Sequence, residues 1–390
     1  MPTTFLRSAF TWLVYLLLAF FAFYINILGP VTPYLKAELS LSYTVGSLHY
    51  TAFALGILLV GLGGHLVIER LGRWRSLWLG ALGISAGAVL LIVGRSPVVT
   101  VGACLLMGTV GSLILIIVPS ALTDLHQGRA TQALSEANMM ASLFALTSPL
   151  LVGWFAPLPG GWRLVLGLAA LLPLGLRLLT GRVEVPPEQA VPQAAGLGGR
   201  RLPLLFWVYW LALVLGVAAE FCMLSWSADF LNKRLQLAPN LAAQAVSLFL
   251  LGMILGRLAG SRMLGRFSAR QMVTGSALLG AAGFMLFWLS GSALLGLAGL
   301  FVTGLGIASL YPMTLSLAMH SARENTVTAA ARTTLASGIA ILALPLTLGR
   351  LADAYGIQSA YGVVLVLLLG AAGVIAAAGR GQLRSGKRKR

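Results

Sequence analysis

The sequence predicts an all-α membrane protein that crosses the bilayer twelve times. Of its 390 residues, 58% are apolar and 9% are charged, against about 25% charged in a typical soluble domain. The mean hydropathy is +0.91. A spanning helix needs roughly 20 apolar residues, and the long continuous apolar runs differ from the alternating pattern of a membrane β-barrel. The composition therefore excludes a soluble enzyme, a disordered chain and a nucleic-acid-binding domain.

Short polar turns separate the apolar runs, and the longest interruption covers residues 182–202. This stretch is rich in proline and glycine and lacks apolar periodicity, so we expect a cytoplasmic linker. The predicted architecture is a six-helix bundle over 1–181, the linker over 182–202, a second six-helix bundle over 203–379 and a basic cytoplasmic tail over 380–390. The predicted spans are 9–35, 44–68, 76–94, 97–123, 131–156, 163–181, 203–231, 241–264, 271–291, 293–320, 328–350 and 357–379.

The basic residues predict the orientation of the chain. Of its 27 Lys and Arg, we count 21 on one predicted side and 6 on the other. Cytoplasmic loops carry the excess of basic residues, so we expect a multi-pass inner (plasma) membrane protein with both termini cytoplasmic. The net charge of +17 therefore indicates topology and contact with the lipid bilayer, and no nucleic-acid partner is expected.

An internal repeat appears at an offset near 195 residues. Gly56 and Gly252 are 196 residues apart, and residues 148–153 match residues 344–349 at the same offset. The first six predicted helices therefore repeat as the last six. Two parallel halves that rock against each other are an architecture of alternating-access transporters.

The loop after the second predicted span reads Glu-Arg-Leu-Gly-Arg-Trp-Arg over residues 69–75. It resembles the acidic-basic-x-Gly-basic signature of the major facilitator superfamily, and the resemblance covers nearly the whole chain. Cys104, four residues before Gly108, stands where the family often has an arginine. The resemblance implies that family's twelve-helix fold and a monomeric secondary transporter for a small molecule, with no catalytic residues, cofactor or metal.

Charged groups inside spans are the first candidates for function, because each is costly in a bilayer unless it is paired or hydrated. Glu220 lies 17 residues into its predicted span, and Asn26 lies at a matched depth in the repeat-related first span. The resemblance implies that both helices line a central cavity. Glu220 is expected to bind a proton or a cationic group, with a structural hydrogen bond as the alternative. Asp229, nearer the outer end, is expected to be solvated.

Other polar and aromatic side chains could line the same cavity or serve in packing and at the membrane interface. These cavity candidates are Tyr24, His49, Tyr50, Asn138, Trp226 and Tyr311.

A second constellation lies at the predicted cytoplasmic face. The resemblance places the fifth and eighth helices face to face, and likewise the second and eleventh. It therefore implies that Glu136 pairs with Arg257 and that Glu69 pairs with Arg332, forming an inner gate. The alternative is that the arginines extend to lipid headgroups. The candidate gate residues are Glu69, Arg70, Arg73, Glu136, Arg257 and Arg332.

The expected function is secondary active transport of a small organic solute by alternating access. A largely apolar, aromatic cavity with one carboxyl favours proton-coupled efflux of an amphipathic or cationic compound. The alternative is proton-linked uptake of a small organic anion or metabolite that binds Arg257 or Arg332. A membrane enzyme would need a cluster of catalytic groups at one interface, which the sequence does not contain.

Overall fold

The computed structural model describes residues 6–180, 202–263, 266–322 and 325–387, and the regular secondary structure in these ranges is helical. A short 3₁₀ turn, Gln127–Arg129, joins the fifth helix to the sixth. The helices are α1 (Ala9–Leu39), α2 (Tyr43–Leu71), α3 (Arg73–Val93), α4 (Pro97–Gly111), α5 (Leu113–His126), α6 (Ala130–Phe155), α7 (Trp162–Ala170), α8 (Leu172–Leu179), α9 (Leu204–Leu235), α10 (Pro239–Met263), α11 (Ala269–Leu289), α12 (Ala293–Ile307), α13 (Leu310–Ser321), α14 (Thr326–Tyr361) and α15 (Val363–Lys387).

The lengths of the helical stretches confirm a polytopic membrane protein. Among the described residues, ten stretches are long and apolar enough to cross a membrane, and a shorter apolar helix covers Val363–Ala378. One of the ten, Pro97–Phe155, has 59 residues. A crossing needs roughly 20 residues, so this stretch holds two crossings. The structure therefore has about twelve spans, as predicted.

Three predicted spans are interrupted where we expected continuous helices. The breaks lie at Ser112 and shortly before Pro173 and Pro312. Proline cannot donate a hydrogen bond to the carbonyl one turn earlier, so the helix ladder is weakened there. The Ser112 hydroxyl donates to the Gly108 carbonyl at 2.5 Å, and such local bonds compete with the ladder. The interrupted predictions are 97–123, 163–181 and 293–320.

The last two predicted spans were expected to be separated by residues 351–356. The helical stretch α14 continues to Tyr361, but non-helical backbone at Gly356 divides it into two helices within the expected gap. The chain bends within it at Gly356, where φ is 78° and ψ is 153°. Glycine adopts this conformation readily because it has no Cβ. The predicted linker, apart from Leu202, lies outside the described residues.

Special backbone positions repeat at the offset seen in the sequence. Ser40, after α1, has a φ of 52°, and Gln236, after α9, has a φ of 55°. Gly160 and Gly356 have φ values of 92° and 78°. The members of each pair are 196 residues apart. The pseudo-repeat therefore extends to the turns that end its helices.

Two close helix crossings repeat in the same way. Gly108 of α4 lies against the backbone of Phe53 in α2, and Gly304 of α12 lies against the backbone of Phe249 in α10. A Cβ on either glycine would overlap a carbonyl oxygen of the facing helix. Small residues allow such close approach of membrane helices. Each half therefore contains a crossing of this kind, where two backbones meet without a side chain between them.

The chain divides into two compact units. Unit 1 contains Met1–Leu41 and Leu48–Val191, and unit 2 contains Ser42–Ser47 and Pro192–Arg390. In unit 1, α1 packs along α6 and α3 packs along α4. In unit 2, α9 packs against α14 and α15, while α10 and α11 each pack against α12. By its contacts, the first turn of α2 belongs to unit 2.

Candidate functional site

The clearest charged cluster of unit 2 joins Glu220 of α9 to Arg257 of α10. The Glu220 Oε1 atom lies 4.0 Å from the Arg257 Nη2 atom. The Glu220 side chain is 17% exposed and the Arg257 side chain is 45% exposed. The carboxylate is therefore held within the helix bundle, whereas the guanidinium is accessible.

The hairpin formed by α9 and α10 explains why these two residues meet. Residues 236–238 join the two helices, and Glu220 lies 17 residues before Leu237. Arg257 lies 20 residues after Leu237. Positions at similar distances from a tight helical turn lie at similar depths, because both helices rise 1.5 Å per residue. The fold therefore brings together two charged groups that are 37 residues apart in sequence.

Tyr311 completes this cluster. It lies in the first turn of α13, after the helix break caused by Pro312, and is 39% exposed. Its phenol is within electrostatic range of the Glu220 carboxylate and lies beside Ser337 of α14. Three helices therefore contribute a carboxylate (Glu220), a guanidinium (Arg257) and an amphipathic ring (Tyr311).

A second polar cluster surrounds Tyr43 at the start of α2. The Tyr43 ring packs on the Trp226 ring with centroids 5.2 Å apart, and its hydroxyl interacts with the Asp229 carboxylate. Trp226 is only 1% exposed, and its Nε1 donates to the Pro345 carbonyl at 3.4 Å. Asp229 is 3% exposed, so the expectation of a solvated end group is wrong. A neighbouring phenol and dense packing replace water around it.

Asp353 of α14 caps the first turn of α2. The backbone N–H groups of Tyr43 and Thr44 donate to its two carboxylate oxygens at 2.7 and 2.8 Å. The Ser47 hydroxyl donates to the Pro345 carbonyl at 2.9 Å. A carboxylate at a helix N-terminus satisfies unpaired N–H groups and opposes the positive end of the helix dipole. We call this set, formed by Tyr43, Thr44, Ser47 and Asp353, the helix clasp.

Four of the five cavity candidates of unit 1 place polar atoms on partners within that unit. The Tyr24 hydroxyl donates to the Leu166 carbonyl at 2.6 Å, and His49 Nε2 lies 2.9 Å from Thr100 Oγ1. Tyr50 is buried. The amides of Asn26 and Asn138 both donate at 2.8 Å to carbonyls one turn earlier in their own helices. Their role in a cavity stays a prediction.

Two candidate gate residues form ion pairs within unit 1. Arg7 donates to both carboxylate oxygens of Glu136, at 2.7 and 2.8 Å. Tyr15 donates to the same carboxylate at 3.3 Å. Arg73 pairs with Asp124.

The remaining candidate gate residues lie at helix ends or surfaces. Glu69 and Arg70 are exposed at the end of α2, and Arg332 is exposed on α14. The Arg332 carbonyl accepts a hydrogen bond from Trp210 at 2.7 Å. The expected pairs of Glu136 with Arg257 and of Glu69 with Arg332 join different units and stay predictions.

Sequence reasoning missed Arg7, Asp124 and Asp353 as partners. Arg7 and Glu136 are 129 residues apart, and Arg73 and Asp124 are 51 residues apart. The sequence signal for a partner was the similar distance of Glu220 and Arg257 from their hairpin turn, 17 and 20 residues.

Comparisons with known proteins agree with this fold. A model of the Major Facilitator Superfamily matches residues 13–343, with a second match over 209–387. An uncharacterized MFS-type transporter of Yersinia pestis is 27% identical over 378 residues, covering 89% of this chain and 91% of its own.

Solved transporter structures share the fold at low identity. A bacterial homologue of the human lysosomal transporter Spinster has a TM-score of 0.81 at 16% identity, covering 96% of this chain and 97% of its own. The nucleoside transporter NupG has a TM-score of 0.77 at 13% identity, with 95% and 98% covered. A bacterial homologue of the human drug peptide transporters PepT1 and PepT2 has 0.76 at 16%, with 97% and 99% covered. The chain belongs to the major facilitator superfamily and is a multi-pass membrane transporter of that type.

Proposed function

We propose that the protein is a proton-coupled secondary transporter of a small organic solute, with Glu220 and Arg257 as its coupling pair. The observation that carries this proposal is their 4.0 Å separation. It exceeds the range of about 2.7–3.2 Å for a hydrogen bond. At this distance two charges still attract by roughly 4 kcal/mol if the effective dielectric constant is about 20. Electrostatic attraction therefore keeps the two side chains close without a hydrogen bond between them. A proton or a solute can then separate them.

Coupling follows from the charge balance of this pair. When Glu220 takes up a proton, Arg257 loses its neighbouring negative charge. An anionic group on the solute can then bind Arg257, so proton and solute are carried together. When Glu220 releases the proton, its carboxylate competes for Arg257 and favours release of the solute.

The accessibility of the two groups supports an organic anion or anionic metabolite as the solute. Arg257 is the more exposed partner, and a guanidinium binds carboxylate or phosphate with two parallel hydrogen bonds. Tyr311 offers a ring and a hydroxyl near Glu220, the partner of Arg257. These features favour proton-linked uptake of a small organic anion.

Export of a cationic or amphipathic compound is the second candidate. The Tyr311 ring lies near the Glu220 carboxylate, and a cation between them would gain both ionic and cation–π attraction. Such a cation would compete with a proton for Glu220, so transport would be exchange. Trp226, which is fully buried, contributes little to either mode in this conformation.

The proposal includes the organisation expected from the sequence. It places the transporter in the inner membrane as a monomer, with both termini in the cytoplasm, on the distribution of 21 and 6 basic residues. The two six-helix bundles, joined by residues 182–202, alternate access to the site. No catalytic residue is assigned. The pairs Glu136–Arg257 and Glu69–Arg332 would form when the cytoplasmic side closes.

Thermal unfolding of the purified protein against panels of organic anions and organic cations tests the proposal. We expect an anion to raise the Tm of the wild type because it binds Arg257. Arg257→Gln is expected to abolish this shift. Glu220→Gln, which resembles the protonated carboxyl, is expected to keep or increase it.

Glu38→Gln is the matched control, because Glu38 is a paired carboxylate of unit 1. It is expected to lower the Tm of the free protein and leave the shift by the anion unchanged. A cation whose shift is lost in Glu220→Gln would replace anion uptake by cation exchange. If the shifts were equal in wild type, Arg257→Gln and Glu220→Gln, the coupling pair would be wrongly placed.

A further inference from the structure

Unit 2 contains a cavity of about 490 Å³ between α10 and α11. Both helices pack against α12, whose Leu305 contributes to the lining together with Ser309. Met272 and Gly275 line the cavity from α11, and Gly260 lines it from α10. Its volume is within the range of about 300–1,000 Å³ for small-molecule sites, which are also mostly apolar.

Glycine, which has no side chain, leaves part of this space open. No atom lies within 4 Å of the position that a Cβ on Gly275 would occupy. Gly275 is also exposed on the surface of α11. The cavity is therefore open volume bordered by a membrane-spanning helix, where a flexible apolar chain from the bilayer can enter.

Basic residues lie close in sequence to several lining residues of this cavity. Arg262 follows the lining residue Gly260 by two positions, and Arg266 directly precedes the lining residue Phe267. Both arginines are exposed. Arg270 lies nearby in sequence, and its Nε donates to the Tyr209 hydroxyl at 2.9 Å. Part of the hydrogen-bonding capacity of the Arg270 guanidinium is therefore used within the protein.

The surrounding sequence contains no compensating acidic group. From residue 230 to residue 323, a range that includes α10 to α13, there is neither Asp nor Glu. An apolar cavity next to two exposed guanidinium groups complements an amphiphile with an anionic head. Basic pockets between membrane helices bind anionic lipid headgroups by the same charge pairing.

We propose that this cavity is a binding site for one anionic phospholipid. An acyl chain fills the space beside Gly275, and the phosphate pairs with Arg262 and Arg266. The orientation predicted from the basic residues places these two arginines at the cytoplasmic leaflet, whose surface is negatively charged. The residues that line the cavity do not include Glu220, Arg257 or Tyr311. The test of this lipid site therefore does not depend on the transported solute.

Native mass spectrometry of the detergent-purified protein, mixed with equal amounts of phosphatidylglycerol and phosphatidylcholine of identical acyl chains, tests the site. We expect the wild type to retain phosphatidylglycerol about tenfold more than phosphatidylcholine, since two arginines act on its phosphate without an opposing choline. Arg262→Gln combined with Arg266→Gln is expected to remove this preference.

Gly275→Leu tests the cavity itself. The new side chain enters open space, so the protein is expected to fold, but the acyl chain is excluded and the preference disappears. Gly102→Leu is the matched control, because no atom lies within 4 Å of a Cβ there either and Gly102 belongs to unit 1. It is expected to retain the preference.

Three results would overturn the proposal. Equal retention of the two lipids by the wild type would exclude headgroup selection. An undiminished preference in Gly275→Leu would place the lipid elsewhere. Retention of sn-glycerol 3-phosphate as strong as that of phosphatidylglycerol would identify a free-phosphate site that needs no acyl chain.

Discussion

The two units hold their carboxylates in different ways. Three carboxylates of unit 1 pair with guanidinium groups of the same unit. These pairs are Arg163–Glu38, Arg73–Asp124 and Arg7–Glu136. In unit 2, Glu220 is 4.0 Å from its arginine, Asp229 meets a phenol, and Asp353 binds backbone N–H groups.

This difference separates structural charges from charges that can exchange partners. Arg163 donates to both oxygens of Glu38 at 2.9 and 2.5 Å, and Trp162 donates at 3.0 Å. Replacing such a bidentate pair would require several hydrogen bonds to break together. The Glu220–Arg257 contact has no comparable geometry. Unit 1 therefore uses three of its acids to fix helices, whereas the proposed function assigns Glu220 of unit 2 to binding a proton or solute.

The largest effect is expected for Glu220→Gln. Proton movement driven by the anion that gives the strongest thermal shift should fall to background, because the neutral amide cannot titrate. A pH-sensitive dye inside proteoliposomes measures it. Glu38→Gln, corrected for the amount of folded protein, is expected to keep wild-type movement. Equal losses in both variants would erase the distinction between the units.

Arg163→Met is expected to destabilise the protein without changing solute-driven proton movement per folded molecule. Removing the arginine leaves Glu38, which is 38% exposed, without its main donor, at a cost of about 1 kcal/mol in unfolding free energy. Denaturant unfolding measures this cost. Adding Glu38→Gln should recover part of it, because the uncompensated charge disappears. A double variant as unstable as the sum of the single variants would show that the pair is not coupled.

Asp353→Ala sharpens the comparison at the helix clasp. Loss of an N-terminal cap costs about 1 kcal/mol, so the amides of residues 43–47 should exchange about fivefold faster with deuterium. Hydrogen exchange read by mass spectrometry measures this peptide. Ser268→Ala, which removes the cap of α11, should leave it unchanged. Unchanged exchange in Asp353→Ala would mean that this cap does not hold the turn.

The smallest effects are expected for Asn26→Ala and Asn138→Ala. Each amide bonds only to a carbonyl of its own helix among the contacts described above, so stability should change by less than about 0.5 kcal/mol. The thermal shift by the anion should also persist. Loss of that shift in Asn26→Ala would add α1 to the site and weaken the assignment to unit 2.

The fold was predictable to a large extent because long apolar runs and repeated glycines are visible in the sequence. The offset between Gly56 and Gly252 also relates the turns at Ser40 and Gln236. Two of the three breaks, those before Pro173 and Pro312, were missed because a proline interrupts some membrane helices and not others. Pro149 lies inside the continuous helix α6, whereas α12 ends shortly before Pro312.

The candidate site was only partly predictable. Glu220, Arg257 and Tyr311 were each identifiable as polar or charged groups in apolar spans. Their association depends on helix rotation and side-chain direction, which hydropathy does not specify. The role of Asp353 was harder still to predict, because it binds backbone N–H groups about 310 residues away. The sequence does not show which backbone donors a side chain will meet.

The glycine crossings also order the assembly of the protein in time. Gly108 and Gly304 are 196 residues apart, and ribosomes add about 5–20 residues per second. The fourth helix of the first half therefore leaves the ribosome roughly 10–40 s before its counterpart in the second half. During this interval α2 and α4 can close their contact while α12 is not yet complete. The duplicated crossing thus lets the first half begin packing before synthesis ends.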